Sequence, residues 1–209
     1  RHMFAHNEDP AELLSAMSLI LEEDGVFLIE NAYALDTFQN GEFDQIYHEH
    51  MFYFSALSID LLMKRFDFEL IDFEHTSVHG GSGVFICGKK GKHNVQESVI
   101  RTLENERQVF ENGLLFNNFK DRIRLTRSKT LKLLQDELLS KRVIGAYGAP
   151  AKAFTVLSYY GLNEETIKFC VDTTPTKIGK VFPVFNIPII SEEELCKIEY
   201  DTLIVNAWN

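Results

Sequence analysis

Val143-Ile144-Gly145-Ala146-Tyr147-Gly148-Ala149-Pro150-Ala151-Lys152 decides the fold class. Its first four residues are apolar or small, a run too short for a helix and suited to a buried strand. Tyr147 to Lys152 then turns the chain into a helix that runs to Tyr160 and closes at Gly161. A second strand over 167–171 ends at Asp172. Ile187-Pro188-Ile189-Ile190 leads into Ser191-Glu192-Glu193-Glu194, a helix start with acids in its first turn. A last strand covers 202–205. Strand, glycine turn, helix, strand and aspartate give the outline of a Rossmann-like half.

Toward the N-terminus, residues 94–140 read as polar-rich helix, broken in two at Asn112-Gly113. Val99, Leu103, Val109 and Phe110 mark one apolar stripe. Phe116, Phe119, Ile123, Leu131, Leu134 and Leu138 mark the other. The heptads are too irregular for a coiled coil, so this stretch is expected to be a helical connector. Further back, Asp9-Pro10-Ala11-Glu12 starts a helix, with Asp9 as cap, Pro10 in the first position and Glu12 reaching back. Asp24-Gly25 stops it, and 26–30 follows as a buried strand, half of an α/β repeat. Residues 31–57 read as an aromatic loop, and Ser58 as the cap of a short helix through Phe66. Strands over 68–74 and 84–87, separated by His79-Gly80-Gly81-Ser82-Gly83, make an antiparallel pair fit for the edge of a parallel sheet. Three segments are expected: 1–93, 94–140 and 141–209.

With 45% hydrophobic and 25% charged residues among 209, the composition is that of an ordinary globular chain, and 17 Phe promise aromatic packing. A formal charge of −10 disfavours nucleic acid and anionic membrane surfaces. No apolar run approaches the roughly twenty residues that span a bilayer, and no signal-peptide pattern is present. Cys87, Cys170 and Cys196 are far apart and in no metal-ligand spacing, which fits a reducing cytoplasm and argues against structural zinc or a disulfide framework. The start at Arg1-His2-Met3 reads as a fragment of a longer protein, or carries a cloning remnant.

The densest chemistry lies in Tyr47-His48-Glu49-His50, set in Phe43-Asp44-Gln45-Ile46 and Met51-Phe52-Tyr53-Phe54-Ser55. Four residues that exchange protons among apolar neighbours are expected to be buried and perturbed. Acid–base chemistry is the preferred reading. Core histidines and a metal pair at His48 and His50 are the alternatives, the last lacking a third ligand. The Tyr147–Lys152 turn offers N–H groups at a helix start, with Lys152 as an added charge. It is not a dinucleotide fingerprint, because Pro150 lacks a donor and the third glycine is missing. Asp172 stands where such a protein places its ribose-binding acid, or else caps Thr173-Thr174-Pro175. His79-Gly80-Gly81-Ser82 is a hairpin turn or a ligand-facing loop.

Taken in order, Phe43–His50, Tyr53-Phe54-Ser55, Val78-His79-Gly80-Gly81-Ser82, Tyr147-Gly148-Ala149-Pro150-Ala151-Lys152, Val171-Asp172 and Ala207-Trp208-Asn209 resemble the sugar C-methyltransferase family over nearly the whole chain. The resemblance implies a partial methyltransferase-like sheet over 1–93, the connector, and a smaller Rossmann-like domain over 141–209. It implies S-adenosylmethionine-dependent methylation of a nucleotide-linked 4-keto-deoxysugar. Tyr47, Glu49 and His50 would be catalytic, with His50 or Glu49 as the base. His79, Gly80, Gly81, Ser82, Tyr147, Gly148, Ala149, Pro150, Lys152 and Asp172 would bind substrate, and His6 would border the cofactor. The family's zinc-binding domain and the glycine loop that holds most of S-adenosylmethionine are not in this sequence. A sheet without its first strands is expected to expose an edge and to oligomerise through it. A non-catalytic nucleotide-sugar binding module and an NAD-type dinucleotide-binding protein are the rival readings.

Overall fold

The computed structural model describes residues 1–207, and Trp208 and Asn209 of the family pattern lie outside the described residues. The fold is α/β and divides into two compact units. The first comprises Arg1–Glu42 and His48–Lys120, the second Phe43–Tyr47 and Asp121–Asn209. The stretch 94–140, expected to be a connector, is divided between them at Lys120 and Asp121. The helix Glu97–Glu111 buries Val99 and packs Leu103, Val109 and Phe110 into the core of the first unit.

In the first unit a helix, α1 (Pro10–Ile20), is capped by Asp9, whose carboxylate accepts from the N–H groups of Ala11 and Glu12. The strand β1 (Val26–Ala32) follows. Next come α2 (Ala34–Asn40), α3 (Ala56–Lys64), β2 (Phe68–Thr76), β3 (Ser82–Lys89) and α4 (Glu97–Glu111). The sheet order is β1-β3-β2, antiparallel throughout. β1 therefore does not pair as a parallel repeat among the described residues. Among the described residues it is an edge strand; one face is open at its start, where Leu28 is 59% exposed, and both faces are buried by Ile29, Glu30 and Asn31.

Two local readings change. The stretch 31–57 is not one loop, because Ala34, Leu35 and Thr37 give α2 a buried face. α3 is capped by Ser55 rather than Ser58; the two serines form a reciprocal capping box. The core beneath holds Phe68 and Phe85, each essentially sealed from solvent and worth about 2–3 kcal/mol of apolar burial.

The second unit continues with α5 (Leu114–Leu139, begun in the first unit), β4 (Ile144–Tyr147), α6 (Ala151–Tyr160), β5 (Cys170–Val171), β6 (Ile189–Ile190), α7 (Glu192–Leu195) and β7 (Thr202–Val205). Its sheet is all parallel in the order β6-β5-β4-β7. Ile144, Ala146, Leu157, Ile167 and Ile187 form its core. Parallel strands need both faces covered, which is why β4 and β5 are buried throughout bar Tyr147. Phe43 joins this unit, its ring 5.2 Å from Tyr159 and 5.7 Å from Tyr160. The Thr155 hydroxyl donates to the Ile46 carbonyl at 2.9 Å. No helix among the described residues is long and apolar enough to cross a membrane.

Candidate functional site

The unit boundary runs through the proton-exchanging strip: Tyr47 belongs to the second unit, and His48 onward to the first. From His48 to Phe54 the backbone has no regular element of its own and is held from outside. The imidazole Nδ1–H of His6 donates to the Glu49 carbonyl at 2.8 Å. The N–H groups of Met51 and Phe52 donate to the Ala5 carbonyl at 2.9 and 3.4 Å, and Ala34 N–H donates to the Phe54 carbonyl at 3.0 Å. The Phe54 ring packs 5.0 Å from Phe4. His50 lodges between rings, 4.8 Å from His6 and 6.1 Å from Tyr53.

The expected burial of the whole strip is not observed. The side chains of His48 and Glu49 are 88% and 57% exposed, and their nearest approach is 3.9 Å. The strip leaves these two side chains in solvent. His50 is half-buried. Among the described residues no three His, Cys, Asp or Glu side chains gather as a metal site. His6, assigned to the cofactor, lies directly against His50.

At the C-terminal end of β1 a second group assembles. Arg1 brackets the Glu30 carboxylate at 2.5 and 2.9 Å, and His2 N–H donates to the Glu30 carbonyl at 2.6 Å. The His2 ring meets His79 edge-on at 4.7 Å. Burial first, and then the neighbouring His79, lowers the His2 pKa. The His79 turn is a single 3-10 turn, Val78–Gly80, followed by Gly81 at φ 142°. It is gripped by α2: the Asn40 amide donates to the Gly80 carbonyl at 3.4 Å, and Asp36 bonds His75 Nε2 at 2.6 Å. Ser82 does not offer its hydroxyl to a ligand. It is fully buried and donates to the Val78 carbonyl at 2.8 Å.

Gly81 is compulsory for two reasons. Its φ is costly for an L side chain, and an added Cβ would land on the Asp36 carboxylate. Gly81→Ala is expected to cost about 1–3 kcal/mol and to displace His79. Thermal melting together with the His79 ring resonance checks this; an unchanged melt and resonance would refute it.

In the second unit the Tyr147–Lys152 turn is engaged by neighbouring segments of the same unit. Gly148 N–H donates to the Val171 carbonyl at 2.7 Å, and Ala149 N–H to Asp172 at 2.7 Å. The Gly148 carbonyl accepts from the Asn206 amide at 3.0 Å. Lys177 donates to the Ala149 carbonyl at 2.8 Å and stands 3.6 Å from Asp172. The donors expected to cradle a phosphate are thus engaged at Gly148 and Ala149, and Pro150, the cap of α6, has none. Ala151 and Lys152 begin α6. Lys152 is buried rather than a surface charge. Tyr147 donates its hydroxyl to Glu192 at 2.5 Å, which raises its pKa.

Asp172 Oδ1 also accepts from Thr174 N–H at 2.8 Å, the capping bond expected, while Oδ2 is the oxygen engaged by Ala149. Burial works against its ionisation. Hydrogen bonds from Thr174 and Ala149 and the Lys177 charge outweigh that, and its pKa is lowered. A depressed carboxyl contributes stability above its unfolded pKa, about 3.9. That contribution is lost as pH falls below this value through the folded pKa. Asp172→Ala is expected to destabilise the second unit by about 1–3 kcal/mol at neutral pH, since two N–H groups lose their partner, and to flatten acid unfolding below about pH 4. Urea melts at pH 7 and 3 test this; equal losses at both would remove the carboxylate from the explanation.

Residues 77–209 match the model for the C-methyltransferase C-terminal domain, and residues 1–72 match a methyltransferase domain model. The chain is 35% identical over 211 residues to C-methyltransferase NovU of Streptomyces niveus, an alignment that covers 100% of this chain and 50% of that protein. The chain thus spans about half the length of the curated relative it matches.

Proposed function

This chain belongs to the C-methyltransferase family, and from that premise we propose that the complete protein methylates carbon beside the ketone of a nucleotide-linked deoxysugar, with His50 as the base. The observation that supports His50 over Glu49 is its setting. His50 is half-buried against the His6 and Tyr53 rings, whereas the Glu49 side chain lies largely in solvent. A general base works best where its position is fixed and water is partly excluded.

S-adenosylmethionine supplies an electrophilic methyl group when bound. Of this chain's assigned residues, His6 fits a place bordering it: Nδ1 is engaged by Glu49, and the ring lies beside His50. One imidazole is a neighbour rather than a binding site. His50 takes the α-proton, and the enolate carbon so formed is the nucleophile. The His79 turn, fixed by Asp36 and Asn40, borders the sugar.

The test is made with the complete protein. A thymidine-linked 4-keto-deoxysugar is supplied with methyl-labelled S-adenosylmethionine, and the product is read by carbon NMR. A new carbon–carbon methyl signal supports the reading. Tight substrate binding with neither α-proton exchange nor transfer would replace it with a non-catalytic nucleotide-sugar module.

A further inference from the structure

We propose that Asn31 is a positioning residue for His50, acting through the dipeptide Ala5-His6; the proposal rests on the reading of His50 as the base. β1 sends Phe27, Ile29 and Asn31 to one face, opposite Cys87, Phe85 and Gly83 of β3. The row begins with core hydrophobes and ends on an amide that is 1% exposed. A buried amide is costly unless it is hydrogen-bonded. One end of it is: Asn31 Oδ1 accepts from Ala5 N–H at 3.3 Å. A backbone N–H requires the oxygen there, which fixes the amide's orientation. The other end, Nδ2, is buried with no hydrogen-bond partner among the described residues. An apolar residue would fill this row without that penalty. What the amide supplies instead is its bond to Ala5.

That bond leads to His50 in two steps. The Ala5 carbonyl accepts from Met51 N–H at 2.9 Å, on one side of His50. The His6 ring donates to the Glu49 carbonyl at 2.8 Å, on the other side. The dipeptide therefore clamps the backbone on both flanks of His50, and Asn31 ties the clamp to the sheet. None of these bonds touches the His50 ring. They set the backbone from which it projects, and with it the ring's distance from a bound sugar carbon.

The complete enzyme provides the test. Asn31→Leu removes the acceptor while keeping the branching and the number of side-chain heavy atoms, and Asn31→Asp keeps the acceptor. Exchange of the substrate's α-proton is followed in deuterated water without S-adenosylmethionine, with substrate affinity measured alongside. Asn31→Leu is expected to slow exchange about 10- to 100-fold, the cost of a base displaced by up to an ångström. Affinity should change less than about twofold, because ground-state binding is not what the clamp controls. Asn31→Asp should recover most of the rate. A wild-type rate in Asn31→Leu overturns the proposal, and so does an equal loss in both variants that tracks only the melting temperature. Should Asn31→Leu not fold, His6→Phe keeps a ring against His50 but loses the Glu49 bond, and a wild-type rate there overturns the clamp. If His50→Asn itself leaves exchange intact, the base assignment fails first. If His50→Asn abolishes exchange and Asn31→Leu does not slow it, the clamp alone fails.

Discussion

His50→Asn is expected, on the proposed function of the complete protein, to slow exchange of the substrate's α-proton by about 10²- to 10⁴-fold, the usual contribution of a positioned acid or base. Asparagine keeps a polar side chain of related length but cannot take a proton at neutral pH. Substrate affinity should hardly move, because the lost interaction develops with proton transfer. Glu49→Gln is the control that discriminates. Its side chain is largely in solvent, so its replacement is expected to cost less than about tenfold if it is not the base. The reverse order, with Glu49→Gln severe and His50→Asn mild, would transfer the role to Glu49. Survival of exchange in both would remove the strip from the chemistry. Methyl transfer would fall with exchange in His50→Asn, since no enolate forms.

How far the sequence goes depends on the range of the forces involved. The second unit was legible because each of its signals is local. Gly148 at φ 87° lies where β4 must turn, Gly161 ends α6, and Ser191 with Glu194 forms a capping box ahead of α7. Asp9 and Pro10 announced α1 in the same way. Asn112-Gly113 broke the helices where expected. The strip 47–50 was visible as a run of proton-exchanging residue types, but not as geometry. Its side-chain burial depends on contacts with Ala5 and His6, more than forty positions away, and no periodicity encodes such contacts. The division of the strip between two units was illegible for the same reason. Phe43 answers to Tyr159 and Tyr160, whereas His50 answers to His6.

The turns show a second limit. Residue types in Tyr147–Lys152 suggested free donors, yet Asp172 and the Val171 carbonyl take up the N–H groups of Ala149 and Gly148. Ser82 promised a hydroxyl for a ligand and closes its own turn instead. Composition shows which groups a turn owns, and only the folded backbone shows which are already engaged. Glu106 lay wholly beyond sequence reasoning. It sat in a polar helix as one acid among many.

Glu106→Ala is accordingly the substitution expected to damage the first unit most. The carboxylate is sealed from solvent and makes three bonds. Tyr33 donates its hydroxyl to Oε1 at 2.5 Å, Ala56 N–H donates to Oε1 at 2.7 Å, and Leu57 N–H donates to Oε2 at 2.8 Å. Two of these donors are the first N–H groups of α3, where a negative charge also meets the helix dipole. Burial, and then the Glu106 carboxylate, raise the Tyr33 pKa, so the phenol stays a donor. α3 follows directly on the His48–Phe54 strip, and Glu106 fixes its start against α4. Removing the carboxylate strands a phenol and two backbone N–H groups in the core and leaves a cavity. The expected loss is about 3–5 kcal/mol from the stranded donors and the cavity together, or roughly 6–20 °C in melting temperature for a chain of this size. Glu106→Gln keeps the shape and one acceptor and should lose about 1–2 kcal/mol. Tyr33→Phe should lose about 0.5–1.5 kcal/mol. Glu106 and Tyr33 share a bond, so the double mutant Glu106→Ala with Tyr33→Phe should lose less than the sum of the single losses. Urea melts of the four variants provide the measurement. Glu106→Ala melting within about 1 kcal/mol of wild type, or strict additivity with Tyr33→Phe, would show that this buried carboxylate does not hold α3 in place.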